Sequence, residues 1–127
     1  MDRDFERFNG GPNEDRTKRL HVTITPQRLL RINRNVYQQL GKPDAVRLYY
    51  SPKRDTIGIE VANPRLNGAF PVIPNGPSYR INAAPFLRHY NIRIDTTIKF
   101  LNPEIIGNEL FLNLTEIVSV AARKRKK

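Results

Sequence analysis

The sequence contains no cysteine, which excludes disulfide bonds, thiolate chemistry and cysteine-ligated metal. No apolar run is long enough to cross a bilayer as a helix, so no membrane association is expected. The first twenty residues are charged and lack the apolar segment of a signal peptide. These absences together predict a cytoplasmic protein.

Residue types that perform catalysis are also scarce. The chain has two histidines, and the seven acidic residues between positions 20 and 122 are scattered singly. Such spacing gives neither an acid pair nor a convergent set of metal ligands. No phosphate-binding loop or dinucleotide fingerprint is present. The sequence therefore predicts no enzyme, no metal and no cofactor, with His21 as a strand residue and His89 on the surface.

Positive charge is abundant and unevenly placed. The net charge is +10, of which residues 20–122 and the final five residues carry +5 each. Arginine outnumbers lysine by about two to one, and its planar guanidinium suits phosphates and guanine edges. A basic patch with a basic tail predicts a polyanionic partner, most often nucleic acid. The alternative is a soluble protein with a positive surface and an idle tail.

The chain divides into charged ends and an apolar middle. Residues 1–19 hold five acidic and five basic side chains and no apolar period, which predicts a disordered arm. Residues 20–115 are predicted to form a single domain. Residues 116–127 form a C-terminal segment that ends in the basic tail.

Inside the predicted domain one sequence pattern occurs twice, at about 20–61 and 70–115, with a linker at 62–69. Both copies contain Arg-Ile-Asn, at 31–33 and 80–82, with an apolar residue before it. The alternation predicts a short half-buried strand in each copy. Asn33 and Asn82 then stand where helix N-caps are expected.

The matched segments continue through a helix and a hairpin. A short helix is predicted after each asparagine, ending at Gly41 in the first copy and at Asn91 in the second, and Pro85 falls in the first turn. Each helix precedes two strands joined by a proline-containing turn. The predicted hairpin strands are 46–50 with 57–61, and 96–100 with 110–114. Further strands are predicted at 20–25 and 69–73.

The predicted fold is therefore mainly β, an α+β domain of two tandem β-α-β-β units. Each unit offers only about a dozen core residues, too few for a stable core of its own. Packed together, the two units are expected to form one small β-barrel or sandwich with pseudo-twofold symmetry.

The stretch LLRINRNVYQQLGKPDAVRLYYSPKRDTIGIEV at 29–61 resembles the AbrB/MazE/MraZ superfamily of swapped-hairpin DNA-binding domains. The tandem copy is similar to the MraZ arrangement, so the resemblance implies an interleaved barrel that binds DNA and regulates transcription. Three features depart from the family pattern. Arg28-Leu29 and Pro77-Ser78 stand in place of its Gly-Arg pair, and Asn33 and Asn82 replace its helix-opening proline. The family's basic helix positions are Tyr37 and Gln38 in the first copy, and only Arg88 is basic in the second.

If the apolar residues of the Arg-Ile-Asn strands point inward, Arg31 and Arg80 point outward, each within a cluster of basic residues. The alternative for any single arginine is an ordinary solvated side chain, and for the tail a role in solubility. The predicted nucleic-acid contacts are Arg28, Arg31, Arg34, Arg47, Arg80, Arg88, Arg93, Lys99, Arg123, Lys124, Arg125, Lys126 and Lys127.

The number of exposed aromatic residues distinguishes a protein that binds duplex DNA from one that binds single strands. Tyr49, outward beside Arg47, is the one stacking candidate, because Tyr50, Tyr90 and Phe100 fall on faces assigned to the core. Duplex DNA is therefore favoured over single strands and RNA.

The first hypothesis is a DNA-binding regulator or DNA-organising protein, which would be nucleoid-associated. Two alternatives stay open. One is an interaction or structural module, such as an antitoxin or an assembly component, with an acidic protein partner or as a homo-oligomer. The other is association with RNA or the ribosome.

Overall fold

The computed structural model describes residues 19–120. The predicted arm at 1–19, apart from its last residue, and the tail residues Arg123, Lys124, Arg125, Lys126 and Lys127 lie outside the described residues.

The described chain forms short strands and two helices of six residues each. In chain order the elements are β1 Val22–Ile24, β2 Leu29–Asn33, α1 Arg34–Gln39, β3 Ala45–Ser51, β4 Thr56–Ala62, β5 Phe70–Pro71, β6 Ile73–Asn75, β7 Ser78–Asn82, α2 Ala84–His89, β8 Ile98–Phe100, β9 Glu104–Ile106, β10 Glu109–Asn113 and β11 Ile117–Ser119.

The strands form two antiparallel sheets. Sheet A has six strands in the order β11-β8-β1-β2-β7-β6, and sheet B has five in the order β5-β3-β4-β10-β9. The prediction of a mainly β domain is confirmed. The predicted 69–73 strand is divided, because β5 joins sheet B and β6 joins sheet A.

The core lies between the inner faces of the sheets, and strand alternation supplies it. Leu30 and Ile32 of β2 are buried while Arg31 between them is exposed. Ile57 and Ile59 of β4 are buried opposite Leu112 and Leu110 of β10, to which they are paired. Because side chains alternate between faces, each strand presents one apolar row to the interior.

The helix ends follow local sequence signals. Asn33 is the N-cap of α1, and its Oδ1 accepts a hydrogen bond of 3.1 Å from the Val36 N–H, as predicted. The second cap prediction is wrong by one residue, because Ala83 is the N-cap of α2 and makes no side-chain cap bond. Gly41 and Asn91 adopt left-handed φ values of 89° and 56° just beyond the two helices, which confirms where they end.

The two antiparallel sheets do not close into the predicted barrel, and the reason lies in the second hairpin. The prediction paired 96–100 with 110–114, but β8 pairs with β1 and β11 in sheet A, whereas β10 pairs with β4 and β9 in sheet B. The two strands missed from the sequence, β9 and β11, occupy the edges that β8 and β10 would need in order to meet. The sheets therefore remain open on this side.

A groove of about 1140 Å³ lies on the open side, with Leu101, Glu104, Ile106 and Glu116 among the residues that line it. On the opposite side, β5 and β6 follow each other along the chain and link the two sheets. Neither helix of the described chain is long and apolar enough to cross a membrane.

Candidate nucleic-acid interface

The outer face of sheet A carries a row of basic side chains. Arg31 on β2 pairs directly with Arg80 on β7 and, on its other side, with Thr23 on β1, which pairs in turn with Lys99 on β8. Directly paired residues in an antiparallel sheet project from the same face. We call Lys99, Arg31 and Arg80 the basic row.

The basic row has no counter-charge on its own sheet. The six strands of sheet A contain Arg31, Arg80 and Lys99 but no aspartate or glutamate. Within residues 19–120, neither Arg31 nor Arg80 makes an ion pair or a side-chain hydrogen bond. Adjacent strands are about 4.8 Å apart, so the Arg31 and Arg80 side chains leave the backbone close to each other and carry the same charge.

The pKa of His21 is affected by a residue of the basic row. His21 immediately precedes β1 and is half-buried, and its backbone N–H faces Asn33 Oδ1 across the β1–β2 pair at 3.4 Å. Burial, together with the positive charges of Lys99 and Arg19, lowers the pKa of His21. His21 thus lies just before the start of β1, where Lys99 is the member of the basic row that lowers its pKa.

Arg47 lies on the other sheet and does not extend the basic row. It is directly paired with Glu60 in the β3–β4 register, and its guanidinium lies 5.9 Å from the centre of the Tyr49 ring. The strands of sheet B hold Glu60, Glu104 and Glu109 with Arg47 as their single basic residue. The predicted repeat made strand 46–50, which contains Arg47, equivalent to strand 96–100, which contains Lys99. This equivalence fails because β3 and β8 belong to different sheets.

The aromatic predictions are divided. Tyr49 is exposed, but its hydroxyl donates to Glu60, and this hydrogen bond raises the pKa of Tyr49. Its acidic neighbour makes it a poor platform for a nucleic-acid base. Phe100 is buried and Tyr50 packs against the core, as predicted. Tyr90 is 40% exposed, so its assignment to the core is wrong.

Arg28 and Arg34 lie at opposite ends of β2. Arg28 precedes the strand with a φ of 67°, and its carbonyl accepts a bond of 3.1 Å from Ala83, next to the start of α2. Its Nε is buried and has no hydrogen-bond partner among residues 19–120. Arg34 is the exposed first residue of α1. Arg28 and Arg34 therefore lie just outside the two ends of β2, with Arg31 at the middle of the strand.

Arg88 and Arg93 lie outside the strands of sheet A. Arg88 is exposed in the last turn of the helix. Arg93 lies 3.7 Å from Asp95, and both side chains are 79% exposed. Arg93 also lines a cleft of about 310 Å³ with Tyr50 and Asp55, whose carboxylate accepts a 2.6 Å hydrogen bond from the Tyr50 hydroxyl. His89 ends α2 on the surface, as predicted, with its ring against Tyr90.

Residues 19–120 contain no group of three or more histidine, aspartate or glutamate side chains that could hold a metal ion. The feature that the sequence did not reveal is Thr23, which lies buried between Lys99 and Arg31 and connects them into one row. Only the pairing of β1 with both β2 and β8 makes that connection. Comparison of the chain with protein-family models, curated proteins and solved structures finds no match.

Proposed function

We propose that this protein binds duplex DNA through the outer face of sheet A and acts as a transcriptional regulator or a DNA-organising protein. The observation that carries the proposal is the basic row, three cations on a sheet whose strands hold no acid. Unpaired arginines directly opposite each other cost stability, and a phosphate between them would remove that cost. The basic tail would add sequence-independent attraction to the phosphate backbone.

The outer face of sheet A favours a duplex over a single strand. Its outward positions are those in phase with Arg31, Arg80 and Lys99, and on the six strands none of these is Phe, Tyr or Trp. Stacking of bases on aromatic side chains supplies much of the binding energy for single-stranded nucleic acid, whatever its sequence, and this face offers no such side chain. The cations of this face suit phosphate contacts instead.

The proposal includes a tandem repeat with the interleaved, swapped-hairpin relationship of the AbrB-like superfamily. Two registers support it: β2 pairs with β7 around Arg31 and Arg80, and β4 pairs with β10 around Gly58 and Phe111. Each is an antiparallel pairing of matched strands from the two halves. The first strand of each half also pairs with a strand of the other half, since β1 pairs with β8 and β5 pairs with β3. Under this arrangement Arg31 and Arg80 occupy equivalent positions in the two halves.

The test is fluorescence anisotropy with labelled duplex DNA, single-stranded DNA and RNA over a salt series. Full-length protein is compared with Arg31→Ala/Arg80→Ala, with a matched control Arg47→Ala/Arg54→Ala, and with a chain ending at residue 122. The control removes the same charge from the β3–β4 hairpin of sheet B. We expect the first double variant to lose most duplex binding and the control to retain it. Truncation should weaken binding and lower the salt slope.

Equal losses in the two double variants would show that net charge, not the face of sheet A, governs binding, and would overturn the proposal. Binding that disappears entirely with the tail would do the same. Preference for RNA over duplex DNA would replace the duplex with an RNA partner.

A second candidate is a protein-interaction module with an acidic partner. The observation that favours it is apolar surface beside Lys99, where Leu101 is 50% and Val118 is 43% exposed. Phosphate contacts do not require such residues, whereas protein interfaces use them. Binding to an acidic protein that survives high salt, with no binding to nucleic acid at low salt, would favour this candidate.

A further inference from the structure

The four edges of the two sheets are not equally protected. β5 contains Pro71 and β6 contains Pro74, and proline cannot donate to an added strand. β9 contains the charged Glu104. β11, with the sequence Ile-Val-Ser, has neither proline nor charge. Proline and charge are common means of preventing edge-to-edge pairing, so β11 stands out as the unprotected edge.

The backbone of β11 has hydrogen-bonding groups to offer. The Leu101 N–H donates to Glu116 O, and the Val120 N–H donates to Thr97 O, so even-numbered residues of this segment bond toward β8. Bonding direction alternates along an antiparallel strand, which directs the N–H and C=O groups of Ile117 and Ser119 away from β8. Within residues 19–120, β8 is the only strand paired with β11.

The side chains around this edge are unusually apolar for a surface. Val118 is 43% exposed and Val120 is 41% exposed, and Leu101 on the neighbouring segment is 50% exposed. Val118 is directly paired with Lys99, so it lies on the same outer face as the basic row. A strand added to a sheet edge pairs with free backbone donors and acceptors and covers the exposed apolar side chains beside them.

We propose that β11 pairs with β11 of a second copy of this chain, antiparallel, about a twofold axis at Val118. The directions of the free groups set the register: Ile117 of each copy lies opposite Ser119 of the other, which gives four backbone hydrogen bonds. Val118 then meets its own counterpart at the closely spaced, non-hydrogen-bonded position. One strand sequence supplies both sides of the interface, as a twofold contact requires.

The charge distribution fits a second copy in this orientation. β11 itself is uncharged, so pairing brings no like charges together at its centre. The five-residue basic tail begins three residues beyond Val120 in the sequence, and antiparallel pairing places the Val120 residues of the two copies at opposite ends of the interface. Parallel pairing would bring them together.

The pairing joins two copies of sheet A into one continuous sheet. The row then runs Arg80, Arg31, Thr23, Lys99, Val118 and onward through the same residues of the second copy. This consequence for DNA rests on the proposed function, whereas the pairing itself does not. A single short strand buries little area, so we expect a weak dimer whose population depends on concentration.

Sedimentation equilibrium of the full chain without nucleic acid, over a wide concentration range, tests the pairing. Ser119→Pro removes a donor that faces away from β8, and Val118→Lys places two ammonium groups together at the twofold axis. Each is expected to raise the dimer dissociation constant roughly tenfold or more. Ile106→Lys is the matched control, because it makes the same charge change at a residue that is 62% exposed on β9. Circular dichroism checks that each variant is folded.

The absence of native cysteine allows a direct test of the register. Val118→Cys should form a disulfide-linked dimer under mild oxidation, since a Cα separation of about 4.5 Å at this position is within the range of a disulfide. Ile106→Cys should remain monomeric.

A chain that is monomeric at every concentration overturns the proposal and assigns the β11 edge to a strand from another protein or from elsewhere in the chain. Equal cross-linking of the two cysteine variants overturns the register. Both results are independent of whether the protein binds DNA.

Discussion

Arg31 on β2 lies directly opposite Arg80 on β7, and the two side chains share the outer face of sheet A without a carboxylate partner from residues 19–120. Like charges directly opposite each other in a sheet are destabilising. This relationship links stability to the proposed function, because a bound phosphate would stabilise the pair that the free protein holds at a cost.

Arg80→Glu converts the like-charge pair into an opposite-charge pair. We expect the free energy of unfolding in urea to increase by about 0.2–1 kcal/mol, while affinity for duplex DNA falls. Arg65→Glu is the control, because Arg65 is exposed in the loop between β4 and β5. If Arg80→Glu does not increase stability relative to Arg65→Glu, the two arginines do not interact across the strands.

The two asparagines of the repeated triplet should respond differently to alanine. Asn33 caps α1, and its Nδ2 also donates to the Arg19 carbonyl at 2.8 Å. Asn33→Ala is therefore expected to reduce the free energy of unfolding by about 1 kcal/mol.

Asn82 provides the matched comparison. It is not the cap of α2, and its Oδ1 accepts one 3.3 Å bond from the Ala84 N–H at an exposed site. Asn82→Ala should cost clearly less than Asn33→Ala in the same urea titration. Equal losses would contradict the difference between the two helix starts.

Stability should depend on pH through His21. Burial and the charges of Lys99 and Arg19 hold its pKa below the usual value near 6.5. The unfolded chain therefore binds the proton more readily than the folded chain. The contribution is fully present above that usual value and is lost as pH falls through the folded pKa.

We accordingly expect the urea midpoint to fall between about pH 7 and pH 5, and the fall to be smaller in His21→Gln. The control is His89→Gln, which removes the exposed histidine at the end of α2. A pH profile that is unchanged by His21→Gln but flattened by His89→Gln would assign the effect to His89 and refute the prediction. Duplex DNA that neutralises Lys99 should raise the pKa of His21, which is measurable by NMR of its ring.

Tyr37 of α1 and Tyr79 of β7 are stacked, with ring centroids 3.8 Å apart and planes 12° from parallel. The contact connects α1 to β7, whose Tyr79 lies more than 40 residues after Tyr37 in the chain. In a double-mutant cycle with alanine, we expect a coupling energy of about 0.5–1.5 kcal/mol in urea unfolding. The pair Tyr37 and Tyr90 should be additive, because Tyr90 packs on Tyr50, Phe86 and His89. Additivity of Tyr37 with Tyr79 would show that the stack contributes nothing.

Local sequence signals specified β2 and both ends of α1. The alternation around Leu30, Arg31 and Ile32 specified which side of β2 is buried, and Asn33 specified where α1 starts. Gly41 specified where that helix ends. These features depend on periodicity, capping and left-handed backbone conformation, which involve neighbours only a few residues apart.

Tertiary structure alone decided which strands are neighbours. The sequence placed Arg47 and Lys99 on equivalent strands, but the structure assigns them to different sheets with different charge. It also paired β11 with β8 and β9 with β10, which leaves the barrel open and exposes the edge of β11. Strand pairing across long separations depends on how the whole core closes, and a short apolar strand carries no local mark of its partner. The basic row is a product of that pairing, since its three cations come from strands that are distant in the chain.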